Sequence, residues 1–261
     1  MGGNKGNGMV IQERDRHLLR ELAVMRILDR EQAKRIAGFK STTRANARLL
    51  ALTQSGFLNR FFLGTTGAGQ KALYSLSAKG AALVGVPPRG LRRPKDAVIV
   101  ADFFVQHQLA VNEVYCAVKY ESPSQFLFVR WIAFQESLRP HLRLIPDGYL
   151  ELRSGDAVIP IFLELDRGTE TLKVWTEKVR NYQQLALSGD YERKFHQSRF
   201  GVFVIANSER RLQAIRKAVS MITEKLFWFA PFNEIQERGF FGTPWLRPKG
   251  TRAQPLTRTT L

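Results

Sequence analysis

The chain has 261 residues with 40 Lys or Arg against 23 Asp or Glu, a formal net charge of +17, and a balance this basic points to a polyanionic partner, with nucleic acid first. Its single cysteine, Cys116, excludes an internal disulfide and a cysteine-cluster zinc site and suits a reducing cytoplasm, where it is expected as a small buried hydrophobe. No apolar run reaches the length of a membrane span, and residues 1–8 are glycine- and asparagine-rich without the apolar core of a signal peptide, so a cytoplasmic protein with no membrane partner is expected.

The charge is uneven. Residues 1–95 hold 18 basic against 5 acidic side chains, or +13, whereas residues 96–261 hold 22 against 18, or +4. After a disordered tail at 1–9, residues 15–25 carry Leu18, Leu19, Leu22 and Met25 at helical spacing. Asp29 is placed to cap a second short helix through Ala33, Ile36 and Ala37, ended near Gly38. Ser41 is placed to cap a third at 42–54, which buries Ala45, Leu49 and Leu52 and turns Arg44 and Arg48 outward. Two extended runs, 57–63 and 72–76, flank the glycine- and threonine-rich segment 64–69.

Three helices followed by a hairpin is the order of a winged helix-turn-helix, expected at 10–86. In such modules the third helix enters the major groove and the hairpin follows the backbone. Thr42, Thr43, Arg44, Asn46 and Arg48 are therefore assigned to the groove of double-stranded DNA, where Arg and Asn suit guanine and adenine edges. Lys40 and Ser41 are assigned to phosphates at the helix start, and Arg60 and Lys71 to phosphates along the hairpin. The alternative is a solvated, charged face on an ordinary helical interaction module.

Residues 87–97 concentrate Pro, Gly and positive charge and form the expected linker. A second domain is expected at 98–246, with a basic, loose tail at 247–261. A helix from 101 to about 119 opens it, with Phe104, Leu109, Val111, Val114 and Val118 inward. A strand at 126–134 and a hairpin follow, the hairpin turning at 153–156 around Gly155. If that hairpin closes at 154–156, Asp147 lies beside Leu163 and Glu164, while Glu164 and Asp166, two apart, share a face. Asp147, Glu164 and Asp166 then converge, and crowded carboxylates call for a cation, a basic side chain or shifted pKa values. A helix at 170–186 follows, with Lys178 between Trp175 and Tyr182 on its inward stripe. The near-continuous apolar run 200–206 suits an interior parallel strand, and a helix at 209–227 and a short strand near 228–232 complete a mixed sheet flanked by helices. The fold class is thus α+β, a winged helix followed by an α/β mixed-sheet domain.

Pro146-Asp147, a hairpin and then Glu164-Leu165-Asp166 resembles the signature of the PD-(D/E)XK nuclease superfamily, with Asp166 standing where that signature has Lys. The run 162–170, followed by a helix carrying Lys178 and Tyr182, resembles more closely the replication-relaxation family of plasmid and mobile-element proteins, which pairs a winged helix with a nuclease-like domain. The resemblance implies Mg²⁺ or Mn²⁺ on Asp147, Glu164 and Asp166; Glu113 of the preceding helix is either an exposed helix glutamate or one more metal-facing acid, and Lys178 either extends to solvent at the sheet edge or takes the place of the missing Lys. Two functional classes stay open. One is a regulatory or scaffolding protein that occupies DNA and recruits replication or mobilisation proteins, as a monomer or homodimer. The other is a metal-dependent endonuclease or nickase using Asp147, Glu164, Asp166 and Lys178.

Overall fold

A computed structural model describes residues 9–64, 70–87, 98–138, 143–251 and 255–256, with the backbone alone at 98–102. The expected hairpin tip, apart from Gly64, and the expected linker, apart from Pro87, lie outside the described residues. The chain divides into two compact units, Met1–Asn112 and Glu113–Leu261. Among the described residues no helix is long and apolar enough to cross a membrane.

The first unit runs α1 (Glu13–Met25), β1 (Ile27–Asp29), α2 (Arg30–Ala37), α3 (Thr42–Gln54), β2 (Leu58–Gly64), β3 (Gln70–Leu76) and α4 (Ala78–Val84). Its helical stripes are those of the sequence: Leu18, Leu19, Leu22, Ala33, Ala45, Leu49 and Leu52 are all buried, and each leucine so placed contributes about 1.5–3 kcal/mol. The expected caps form. Asp29 accepts from the Gln32 amide at 2.8 Å and Gln32 accepts in return from the Asp29 amide. Ser41 accepts from the Arg44 amide at 3.3 Å. The strands form an antiparallel sheet in the order β1-β3-β2. Three-residue β1, buried throughout, is too short to show an alternating pattern and was not foreseen.

The boundary between the units falls within the next helix, α5 (Val98–Tyr120), and not at 87–97. The physical reason is packing. Val105 and Leu109 of α5 join Ile27, Leu63 and Leu73 in one apolar cluster. Gln32 Nε2 donates to the Leu109 carbonyl at 2.9 Å, and buried Asn112 donates to the carbonyls of Met25 and Ile27 at 3.2 and 2.6 Å. The first unit therefore extends to Asn112, beyond the expected end at 86.

After the remainder of α5, the second unit runs β4 (Leu127–Ile132), β5 (Gly148–Ser154), β6 (Ala157–Asp166), α6 (Leu172–Leu187), α7 (Asp190–Phe195), β7 (Gly201–Ala206), α8 (Glu209–Ser220), β8 (Phe227–Pro231) and α9 (Phe232–Gly242). One five-stranded sheet has the order β4-β5-β6-β7-β8, antiparallel in its first two pairings and parallel in its last two. Ser154 faces Ala157 across the turn, where Gly155 takes φ +60°, a conformation that costs glycine least. Phe162 of β6 packs with Trp175, Val179 and Tyr182 of α6 and Leu212 and Ile215 of α8. On β7 every residue is buried, as an interior parallel strand requires. The expected loose tail is tied down at its start: Arg216 donates to the carbonyls of Arg247, at 2.6 Å, and Gly250, and Leu256 is buried.

Candidate functional site

The turn at Gly155 sets the register that carries the acids of the second unit. Gly148 faces Leu163, so Asp147 sits at the mouth of β5, where its amide donates to the Leu163 carbonyl at 3.1 Å. Its Oδ2 accepts from the Leu165 amide at 2.7 Å, so the side chain continues the ladder where the strand begins. Glu164 is 1% exposed. Lys178 Nζ donates to its Oε2 at 2.8 Å and the Tyr182 hydroxyl to its Oε1 at 2.6 Å. The same ammonium reaches Glu170 Oε1 at 2.8 Å. Burial pushes the Glu164 carboxyl up to about 7; Lys178 opposes the shift and the charge of Asp147 adds to it. Burial works against the charge of Lys178, but Glu164, Glu170 and Asp147 outweigh it and hold the ammonium above its usual range.

Asp166 lies two residues on and is closed by different partners. Arg211 of α8 grips it with Nε to Oδ1 and Nη2 to Oδ2, both at 2.8 Å. The Trp175 indole donates to Oδ2 and the Gly168 amide to Oδ1, each at 2.7 Å. Gly168 has φ +89°, which lets the chain turn back under the carboxylate. Burial raises this carboxyl, but Arg211, Trp175 and Gly168 more than offset it and leave its pKa lowered.

This arrangement corrects the expected metal set. A resident Mg²⁺ or Mn²⁺ needs several carboxylate oxygens with lone pairs aimed at one point. Both oxygens of Glu164 and both of Asp166 instead accept from protein donors. Among the described residues no group of three or more His, Cys, Asp or Glu could hold a metal ion, so Glu113 does not complete a set with Asp147, Glu164 and Asp166. The residues present do not fit the implied cation. Lys178 does stand beside Glu164, where the resemblance puts it.

In the first unit the expected contact residues separate into two kinds. Lys40, Ser41, Thr43, Arg44 and Asn46 are exposed over the first turns of α3. Thr42 is partly covered and accepts from Lys34 Nζ at 3.3 Å. Arg48 does not face outward as expected. Its Nε donates to Asp15 Oδ1 at 2.8 Å, its Nη2 pairs with Asp15 Oδ2, and the same nitrogen reaches the Val10 carbonyl at 2.7 Å. Asp15 is fully buried, and an ionised carboxylate there requires a cation. Lys71 pairs with Asp29 at 2.5 Å, and Arg60 lies over the Phe62 ring at 4.7 Å from its centroid.

Sequence reasoning missed Arg211 and Tyr182 as partners of the acids, and it missed Glu151. That buried carboxylate accepts from Arg130 and from Tyr149, both at 2.6 Å. Arg211 had one signal: it sits in the first turn of a helix, where the macrodipole disfavours a cation unless an anion is near.

Residues 19–197 match the replication-relaxation family. No curated protein matches the chain. Among solved structures, the restriction endonuclease FokI aligns with 91% of this chain and 46% of its own, at 12% identity and a TM-score of 0.35. The chain thus spans about half the length of that protein, and at this score the likeness assigns neither fold nor activity. The family match covers well over half of the residues, and the chain belongs to the replication-relaxation family.

Proposed function

We propose that this protein binds double-stranded DNA of a plasmid or other mobile element and acts in its replication, relaxation or mobilisation. In this reading the first unit is a winged helix that lays the start of α3 in the major groove, and the second is a regulatory or scaffolding unit that does not cut. The observation that carries it is the surface at the start of α3. Lys40, Ser41, Thr43, Arg44 and Asn46 are exposed together at a helix N-terminus, within a stretch whose net charge is +13. Backbone amides, a positive helix end and cationic side chains suit phosphate, and Arg44 and Asn46 suit base edges. The second half of the reading rests on the closed acids of β6, which are held by Lys178, Tyr182, Arg211 and Trp175.

The test is fluorescence anisotropy of the full chain with a mixed-sequence duplex over a salt series. With six or more phosphates contacted, affinity falls about 10³-fold or more between roughly 50 and 200 mM salt. Arg44→Ala weakens binding, and its effect depends on sequence. Salt-insensitive binding, or binding indifferent to Arg44→Ala, would overturn the reading.

A further inference from the structure

Between the sheet of the first unit and α3 lies a groove of about 500 Å³, within the range of small-molecule and cofactor sites. Its floor is unusual for a DNA-binding face. Phe62 is 48% exposed and Leu50 42%, and the Arg60 guanidinium lies over the Phe62 ring. Arg60 and Phe62 are two apart on β2 and share the face that looks into the groove. Asn46 and Gln70, both exposed, bring amide donors and acceptors to its walls.

Charge narrows the occupant. The carboxylates of Asp29 and Glu31 also line the groove, and they are already paired, Asp29 with Lys71 at 2.5 Å and Glu31 with Arg30 at 2.9 Å. An acidic peptide or a free phosphate would meet those carboxylates and find Lys71 and Arg30 engaged by them. A ligand suited to this groove has a flat, neutral body that stacks on an aromatic and a guanidinium plane, with donors for carboxylates and both donors and acceptors for amides. A nucleobase has all of these, provided it is out of the duplex stack.

We propose that the groove takes an unpaired base of DNA, stacked against the Arg60–Phe62 pair, with Gln70 at its edge. This rests on the reading that the first unit binds DNA and deepens it: the preferred substrate is duplex DNA with a melted or distorted segment. Phosphates contact the exposed start of α3, and the extruded base enters beside it.

The experiment compares a fully paired duplex with the same duplex carrying a short central bubble, using the full chain and anisotropy, with 2-aminopurine placed in the bubble. One stacked base gives about tenfold tighter binding to the bubble, and 2-aminopurine fluorescence is quenched on binding. Phe62→Leu keeps an apolar side chain at the groove and removes the aromatic face. It abolishes both the preference and the quench and leaves paired-duplex affinity within about twofold. Arg60→Lys, which keeps the charge and loses the plane, reduces both. Paired-duplex binding without a bubble preference, or a preference that survives Phe62→Leu, overturns the proposal and leaves the DNA-binding reading intact. Failure to bind either DNA overturns both.

Discussion

The start of α3 and the end of β6 are both crowded with polar side chains, yet they are built in opposite ways. At α3 the charges and amides end in solvent: Lys40, Arg44 and Asn46 are exposed. At β6 they end in one another, Glu164 in Lys178 and Tyr182, Asp166 in Arg211, Trp175 and Gly168. A buried carboxylate must be neutralised or hydrogen-bonded wherever it lies, so a motif's chemistry depends on partners far away in sequence. Arg48 makes the point within one helix. It stands one turn from Arg44, but buried Asp15 draws it inward and gives it a structural task.

The largest expected effect is at Asp166. Arg211→Ala leaves this carboxylate, whose side chain is 0% exposed, without its cation, and breaking such a pair costs about 3–5 kcal/mol. Denaturant unfolding reads it, and a loss below about 1 kcal/mol would contradict a closed β6. Arg48→Ala strands Asp15 in the same way, and a loss of about 3 kcal/mol is expected because Arg48 keeps 17% of its side chain in water. Its neighbour sharpens the contrast: Arg44→Ala changes stability by no more than about 0.5 kcal/mol while weakening DNA binding. If the two arginines behaved alike in unfolding, the division between inward and outward charge would fail.

Titration separates the two acids of β6. The Glu164 carboxyl is pushed up to about 7 from 4.5, mainly by burial. The native state therefore holds its proton more tightly than the unfolded chain does. That contribution to stability is fully present below about 4.5 and is lost as the pH rises through about 7. Lys178, held above its usual range, stays charged through this window. Asp166, with its pKa lowered, behaves in reverse: its contribution holds at neutral pH and is lost in acid, below the ordinary carboxylate range. The wild-type thermal midpoint should fall from about pH 5 to about pH 8, and Glu164→Gln should flatten that slope. Parallel profiles for the two proteins would show that Glu164 does not titrate there. A small effect is expected at Lys71, which is 45% exposed and paired with Asp29. Lys71→Ala costs stability little, within about 1 kcal/mol.

What was legible in the sequence was local. The bounds of α3 followed from Ser41 and its apolar stripe, and the hairpin register from Gly155. Pro146-Asp147 and Glu164 lie close because a two-stranded register propagates from its turn. What was not legible was long-range. Asp15 and Arg48 are 33 residues apart, and Asp166 and Arg211 are 45, with no periodicity to link them. β1 is three residues long and owes its pairing to β3, and the first unit ends at Asn112 because α5 covers its sheet, a packing fact that linker composition does not encode. A fragment ending at 95 would lose Val105, Leu109 and Asn112, so the DNA-binding proposal is tested on the full chain.

The central claim is that this protein engages DNA through α3 while the acids of β6 remain paired and do not cut. Supercoiled plasmid incubated with the full chain in Mg²⁺ or Mn²⁺ tests both parts at once, when one portion is run under binding conditions and another after protein removal. The account predicts retarded DNA in the first and intact supercoils in the second, with Arg44→Ala reducing the retardation. Open-circular or linear product that Lys178→Ala and Glu164→Gln both abolish would contradict it and make the Glu164–Lys178 pair a cutting centre.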